Sequence, residues 1–292
     1  MMSIANNIAV FIMVHGRPDK MWTYKTLRKR GYTGKIYLVG DNLDSTIKQY
    51  KKKYKDDLLV FDKKKVAQDM DAGDNTGDMR STLYSANTIF NLAKDKGIEY
   101  FFIMCDDYRD IYYKFDDKLE YKEIPVRHKL DEVFNILLKF YKSTKAKSIA
   151  FAQNGDFIGG KKGSFGKEIK LRRKAMNTFL CSTKRPFKFV GRLNEDVNTY
   201  VNLGSKGDLF FTIPNISISQ LPTQKTEGGL TDVYLEYGTY TKSFFSVMYN
   251  PSCVKVSEMG VKDKRLHHKI MWGNAVPKII NERYKKRTKA NT

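Results

Sequence analysis

The sequence predicts an α/β fold in which a mostly parallel sheet is flanked by helices, and three observations carry that prediction. Short apolar runs alternate with helical patterns through the first hundred residues, as βαβ units require. The runs are continuous and rich in β-branched residues, as in strands buried on both faces. Polar clusters follow them: His15-Gly16-Arg17, Asp41-Asn42 and Asp106-Asp107. In open parallel sheets the ligand lies beyond the carboxyl ends of the strands, where these clusters fall.

Each element has its own reason. Ile8 to Val14 is the first strand, and His15-Gly16-Arg17-Pro18 breaks it. Pro18 suits the first turn of a helix whose inner face is Met21, Trp22 and Leu27. Lys35 to Gly40 is the second strand. Asp44 is placed to cap a helix running through Tyr54. Leu58 to Phe61 is a short third strand. A polar loop from Asp69 to Asp78 leads to a marked helix, with Met79, Leu83, Ala86, Phe90 and Ala93 on one face and Gly97 closing it. Tyr100 to Met104 is a fourth strand, with Cys105-Asp106-Asp107 at its carboxyl end.

After Asp110 the pattern changes. Leu130, Val133, Phe134, Leu137, Leu138 and Tyr141 mark another amphipathic helix, and Ser148 to Ala152 another strand. Phe187 to Gly191, Leu209 to Pro214 and Ile216 to Gln220 are short strand candidates. Tyr234 to Tyr249 reads equally as helix or strand. No repeat and no linker is visible. The expected organisation is a single domain over 1–283, with a first half of about 1–115 and a second half of about 116–283. A basic tail, 284–292, follows.

Composition narrows the function classes. Of 292 residues 41% are hydrophobic and 13% aromatic, which excludes a wholly disordered chain. No apolar run approaches the roughly 20 residues of a spanning helix. No signal-peptide pattern opens the chain, so a cytoplasmic protein is expected. Cys105, Cys181 and Cys253 stand far apart, which excludes a disulfide scaffold and a cysteine-rich zinc site.

The net charge of +21 is concentrated. Thirteen Lys or Arg face only Asp156 and Glu168 between Lys142 and Lys188. Eleven face only Glu258, Asp263 and Glu282 between Lys255 and Lys289. Such clustering fits a polyanion-binding face better than a solubility device, although lysine runs also serve as plain solvated surface. The loop Gly159 to Lys167 is rich in glycine and lysine and contains no Walker A register. Lys161, Lys162, Lys167, Arg172, Arg173 and Lys174 are its candidate nucleic-acid contacts.

Asp106 and Asp107 suit a hard divalent cation, which takes oxygen ligands and bridges substrate phosphates. Solvated turn aspartates are the alternative. Asn194, Glu195 and Asp196 suit a helix first turn. His267-His268 is the one His pair in the sequence, and by itself reads as basic surface.

Arg80, Ala86-Asn87, Ala93, Gly97 and then Asp106-Asp107 after an apolar strand resemble the central segment of GT-A-fold nucleotide-sugar glycosyltransferases. Cys-Asp-Asp stands where many members have Asp-x-Asp. Among them the chain is most similar to the phage TET-associated glycosyltransferase group. The carrying stretches are Ile103 to Tyr108, Gly191 to Asp196, Gln224 to Gly229 and Leu266 to Asn274, and the resemblance covers roughly 8–283. It implies a GT-A (Rossmann-like) sheet with a basic acceptor-side elaboration. It implies donor contacts from His15, Gly16, Arg17, Asp41, Asn42, Arg80 and Asp106. It implies Mn²⁺ or Mg²⁺ on Asp106 and Asp107 with His267 or His268, and catalysis by Asp196 with Glu195. The expected reaction moves a sugar from a UDP-type nucleotide sugar to a hydroxymethyl-pyrimidine in DNA. The alternatives are a transferase acting on a glycan, lipid or protein, a non-enzymatic DNA-binding protein on this fold, and a metal-dependent nuclease.

Overall fold

The computed structural model describes residues 7–118, 120–153, 169–172, 178–220, 230–259, 264–279 and 281–282. Lys161, Lys162, Lys167, Arg173, Lys174, the Gln224–Gly229 stretch and the basic tail lie outside the described residues. Arg172 is described and exposed.

Strands β1 (Ile8–Met13), β2 (Lys35–Asp41), β3 (Leu58–Phe61) and β4 (Tyr100–Cys105) form a parallel block in the order β3-β2-β1-β4. The sheet continues from β4 through β8 (Phe179–Ser182), β7 (Ser148–Gln153), β9 (Phe210–Gln220), β5 (Tyr108–Phe115) and β6 (Tyr121–Pro125). Of these nine strands only β8 and β5 run against the rest. The sheet is therefore mostly of one direction, yet its second half is built largely from antiparallel ladders.

The helices are α1 (Trp22–Lys29), α2 (Ile47–Tyr54), α3 (Lys63–Ala67), α4 (Leu83–Asp95), α5 (Leu130–Ser143) and α6 (Glu195–Ser205). Alternation along β1 sends Val10 and Ile12 to one face and Ala9 and Phe11 to the other. On the first face α1, α2 and α5 bury Leu27, Tyr50 and Phe134, the last stacked on Phe102 at 4.2 Å between ring centroids. On the second, α4 and α6 bury Ile89, Phe90, Val197 and Val201. Both sheet faces are thus covered, which is why the strands read as unbroken apolar runs.

The ambiguous segment 234–249 belongs to two helices, α7 (Thr231–Tyr237) and α8 (Thr241–Tyr249). Gly238 separates them at φ 83°, and a Cβ there would lie 2.4 Å from the Tyr240 ring, so glycine is required. A two-stranded ribbon, β10 (Val254–Met259) with β11 (Arg265–Ile270), packs against α8. The short α9 (Trp272–Ala275) follows it. Phe187 to Gly191, expected as a strand, lies outside any strand or helix. The expected strands 209–214 and 216–220 are one strand, β9. Pro18 lies in a turn ahead of α1 rather than inside it. Among the described residues no helix is long and apolar enough to cross a membrane.

Candidate active site

The carboxyl ends of β1, β2 and β4 meet around the sequence-predicted clusters. Asp106 follows β4 and is 2% exposed. Its backbone carbonyl accepts Thr23 N–H at 3.1 Å, and the Thr23 hydroxyl donates to Cys105 O at 2.6 Å. The first turn of α1 therefore fixes the backbone that presents the two acids. Arg17 Nη2 donates to Asp106 Oδ1 at 2.6 Å, while Arg17 N–H donates to the Tyr50 hydroxyl at 3.0 Å. Arg109, the second residue of β5, lays its guanidinium over Trp22 at 3.5 Å from the ring centroid.

Four buried polar atoms at this edge have no hydrogen-bond partner among the described residues: Arg17 Nε, Asp106 Oδ2, Asp107 Oδ1 and Arg109 Nε. Buried polar atoms are nearly always satisfied, so a cluster of orphans marks a place for something else. Burial, opposed by Arg17, pushes the Asp106 carboxyl up to about 7, with Asp107 adding to the rise. Burial likewise raises Asp107, against the pull of Arg17 and Arg109.

The His15 cluster is differently arranged. Asp41 is buried, and its carboxylate holds Leu43 N–H at 3.0 Å and Lys63 Nζ at 3.1 Å. His15 Nδ1 lies 3.4 Å from the same carboxylate, and Gly16 N–H donates to Asp44 at 2.9 Å. The hydrogen bond to Asp41 raises His15 despite its partial burial. Burial alone would raise Asp41, but His15 and Lys63 together hold it below the usual carboxylate range. Asn42 accepts Lys63 N–H at 3.0 Å. Asp41 and Asn42 are thus tied into the protein, and the His15 ring is left half-exposed. Lys63 is a member that sequence reasoning missed, because its side chain is buried only through β3 pairing with β2.

The acidic pair of α6 comes to the same region. Glu195 accepts a hydrogen bond from the Thr82 hydroxyl ahead of α4. Burial, then the charge of Asp196, pushes Glu195 up to about 7. The Cys105 thiol is raised by burial and by the charges of Asp107, Asp106 and Glu195, so all three acids lie within electrostatic reach of one sulfur. Burial, Glu195 and Asp196 also raise the Tyr234 phenol of α7. Asp196 accepts Val197 N–H at 2.7 Å.

The segment leading into α6 is held by Asn87. Its side chain accepts Phe189 N–H at 2.8 Å and donates to Phe189 O at 3.0 Å, as a peptide group would. The Ala86-Asn87 stretch is therefore a brace for the acids. Gly191 follows at φ 80°, where a Cβ would sit 2.4 Å from Asn198 Nδ2. Arg192, 2% exposed, binds Asp74 at 2.6 Å and Asp78 at 3.3 Å and so pins the 69–78 loop. Arg80, expected at the donor, is engaged by Asp78 at 2.8 Å and Glu236 at 2.6 Å.

His268 of β11 is 6% exposed, and its Nδ1 is 3.0 Å from Asn194 Nδ2. Asn194 has φ 57° and also donates to Ser246 Oγ at 3.0 Å. The His267 ring lies tilted against His268 at 4.1 Å between centroids. Among the described residues no three His, Cys, Asp or Glu side chains gather as a metal-binding group. The structure thus brings His268 to the start of α6 and does not assemble either His with Asp106 and Asp107. Two carboxylates still suffice for a cation of the Mg²⁺ class, which keeps waters and takes substrate phosphate oxygens. Asp106 Oδ2 and Asp107 Oδ1 are atoms free to serve it.

Solved structures of similar shape include the mannosyltransferase PcManGT of Pyrobaculum calidifontis in complex with GDP-Man and Mn²⁺. It is 10% identical, with 84% of this chain and 74% of that chain covered at a TM-score of 0.47. Glucosyl-3-phosphoglycerate synthase of Mycobacterium tuberculosis, in complex with Mn²⁺, UDP and phosphoglyceric acid, is 10% identical, with 91% and 87% covered at 0.41. S. aureus TarS 1-349 is 11% identical, with 82% and 65% covered at 0.41. No curated protein matches the sequence. The family described as TET-Associated Glycosyltransferase matches residues 8–229, from β1 to just before α7. That span holds both acidic pairs and the His15 cluster, and the chain belongs to the TET-associated glycosyltransferase family.

Proposed function

We propose that the protein transfers a sugar from a UDP-type nucleotide sugar to a hydroxymethyl-pyrimidine in DNA, with Mn²⁺ or Mg²⁺ as cofactor. The observation that carries this reading is the cluster of unpartnered buried atoms on Arg17, Asp106, Asp107 and Arg109. Two carboxylate oxygens beside two guanidiniums match a divalent cation together with a diphosphate. Asp106 and Asp107 would hold the cation, whose role when bound is to neutralise the departing diphosphate. Arg17 and Arg109 bind diphosphate oxygens, and the half-exposed His15 ring contacts the nucleotide. The bond from the anomeric carbon to the diphosphate oxygen breaks, and the diphosphate keeps the electron pair. A bond to the acceptor oxygen forms, and its proton passes to the Glu195–Asp196 pair. A carboxyl poised near 7, as Glu195 is, suits general-base work at neutral pH.

The DNA acceptor is supported by the family's TET association and by the concentrated positive charge. The test combines the protein with a panel of nucleotide sugars, Mn²⁺ and hydroxymethylated DNA, followed by digestion to nucleosides and mass measurement. A nucleoside heavier by one sugar residue is expected. No mass gain under any pairing, with a glycan, lipid or protein accepting the sugar instead, would overturn the DNA acceptor and leave the transferase.

A further inference from the structure

The ribbon β10–β11 lies beyond residues 8–229 matched by the family. Its register sets Lys255 directly opposite Lys269, and Arg265 opposite Met259. With a side-chain period of two, positions 255, 265 and 269 share one face, and all three side chains are exposed. Among the described residues none of the three forms an ion pair, whereas the neighbouring Lys264 binds Glu258 at 3.2 Å. Like charges directly opposite on paired strands are unfavourable. A fold that keeps such a pair without a counter-charge among the described residues has a use for an anion there.

On the opposite face, the ribbon reaches the acids. His268, one residue from Lys269, is buried and meets Asn194, the residue before Glu195. The cationic face therefore stands one strand thickness from the start of α6. A two-stranded ribbon also has dimensions that fit the major groove of B-form DNA.

Building on the acceptor reading above, we infer that this ribbon face seats the phosphate backbone of duplex DNA through Lys255, Arg265 and Lys269. It sets the acceptor strand beside Glu195 and Asp196. Each side chain withdrawn from a phosphate lowers the slope of log Kd against log salt by about 0.9. Withdrawing all three lowers the slope by about 3 and weakens binding at 0.1 M salt on the order of several hundredfold.

The experiment measures fluorescence anisotropy of a labelled 16-base-pair duplex with the whole chain across a salt series. The triple variant Lys255→Ala/Arg265→Ala/Lys269→Ala is compared with Lys48→Ala/Lys51→Ala/Lys52→Ala, which removes the same charge from the exposed side of α2. The expected result is the reduced slope and affinity for the ribbon variant, with the α2 variant within twofold of the parent. Hydrolysis of the nucleotide sugar by water, which needs no DNA, stays unchanged in both. Equal losses in the two variants, or none in the ribbon variant, overturn the ribbon assignment. A parent protein that shows no salt-dependent duplex binding overturns the acceptor reading itself. Lys255→Glu provides a second check: it converts the opposed lysines into an ion pair, so the melting temperature should rise while DNA affinity falls. A fall in both assigns the face a structural role instead.

Discussion

Asn87 offers a quantitative test of how the acids of α6 are positioned. Its amide satisfies both the N–H and the C=O of Phe189, whose side chain is 2% exposed. Asn87→Ala leaves two backbone groups without partners, at about 1–3 kcal/mol each. Asn87 itself is only half-buried, so water recovers part of the loss, and about 2–4 kcal/mol in total is expected. That is a large share of the roughly 5–15 kcal/mol typical of a folded domain. Urea unfolding followed by circular dichroism measures it, with the midpoint falling and the slope unchanged. Asn87→Asp keeps the acceptor for Phe189 N–H but turns a carboxylate oxygen toward Phe189 O, so it is also destabilised. Because the brace leads to Glu195, kcat should fall in both variants while the KM for the nucleotide sugar holds. A cost below about 0.5 kcal/mol for the alanine variant, or an aspartate variant as stable as the parent, refutes the brace.

The charged groups supply the other tests. In the metal-free protein Asp106 has its carboxyl raised from 3.8 to about 7 by burial, so the folded state holds its proton more tightly than the unfolded chain. Its contribution to stability is therefore neutral below pH 3.8, grows steadily unfavourable as pH rises toward 7, and stays unfavourable above. At 1.36 kcal/mol per pH decade the upper limit is on the order of 4 kcal/mol, and Asp106→Asn, which weakens the Arg17 contact, should recover about half. Thermal melts at pH 4 and pH 8 should show the variant gaining only at pH 8. Arg192→Met strips the buried partner from Asp74 and Asp78 and should cost about 3–5 kcal/mol, with proteolysis newly entering the 69–78 loop. Chelation by EDTA should abolish sugar transfer, and Mn²⁺ in excess should restore it; activity that persists in EDTA contradicts the cation role.

The parallel block was legible because its strands are covered on both faces and so carry no polar interruptions. β5 was not: its run Tyr-Arg-Asp-Ile-Tyr-Tyr-Lys-Phe looks solvent-facing, yet Lys114 is fully buried, with Nζ donating to Gln153 O at 2.9 Å. β9 reads as two strands because Pro214 interrupts it. The register slips there, between Phe151 paired with Ile213 and Ala152 paired with Ser217, and a bulge is where a proline is tolerated within a sheet. Four-residue β8 is too short to show a period. At the site, Asp106, Asp107, Arg17, Glu195 and Asp196 were legible from their position after strands or at a helix start. Lys63, Thr82 and Arg109 were not, since each reaches the site only through contacts remote in sequence. Asn87 and His268 were visible as motif members, but their work as a brace and as a clamp on Asn194 depends on tertiary packing. Arg80 carried a donor expectation, and the 69–78 loop with α7 takes up its charge.

The most direct test of the metal and diphosphate site is a Mn²⁺ titration followed by electron paramagnetic resonance, in the presence of UDP, on the parent and on Asp107→Asn. Saturable Mn²⁺ uptake that depends on UDP in the parent, and loss of that uptake with the fold retained in the variant, is the expected result. Uptake in Asp107→Asn equal to that of the parent contradicts the assignment.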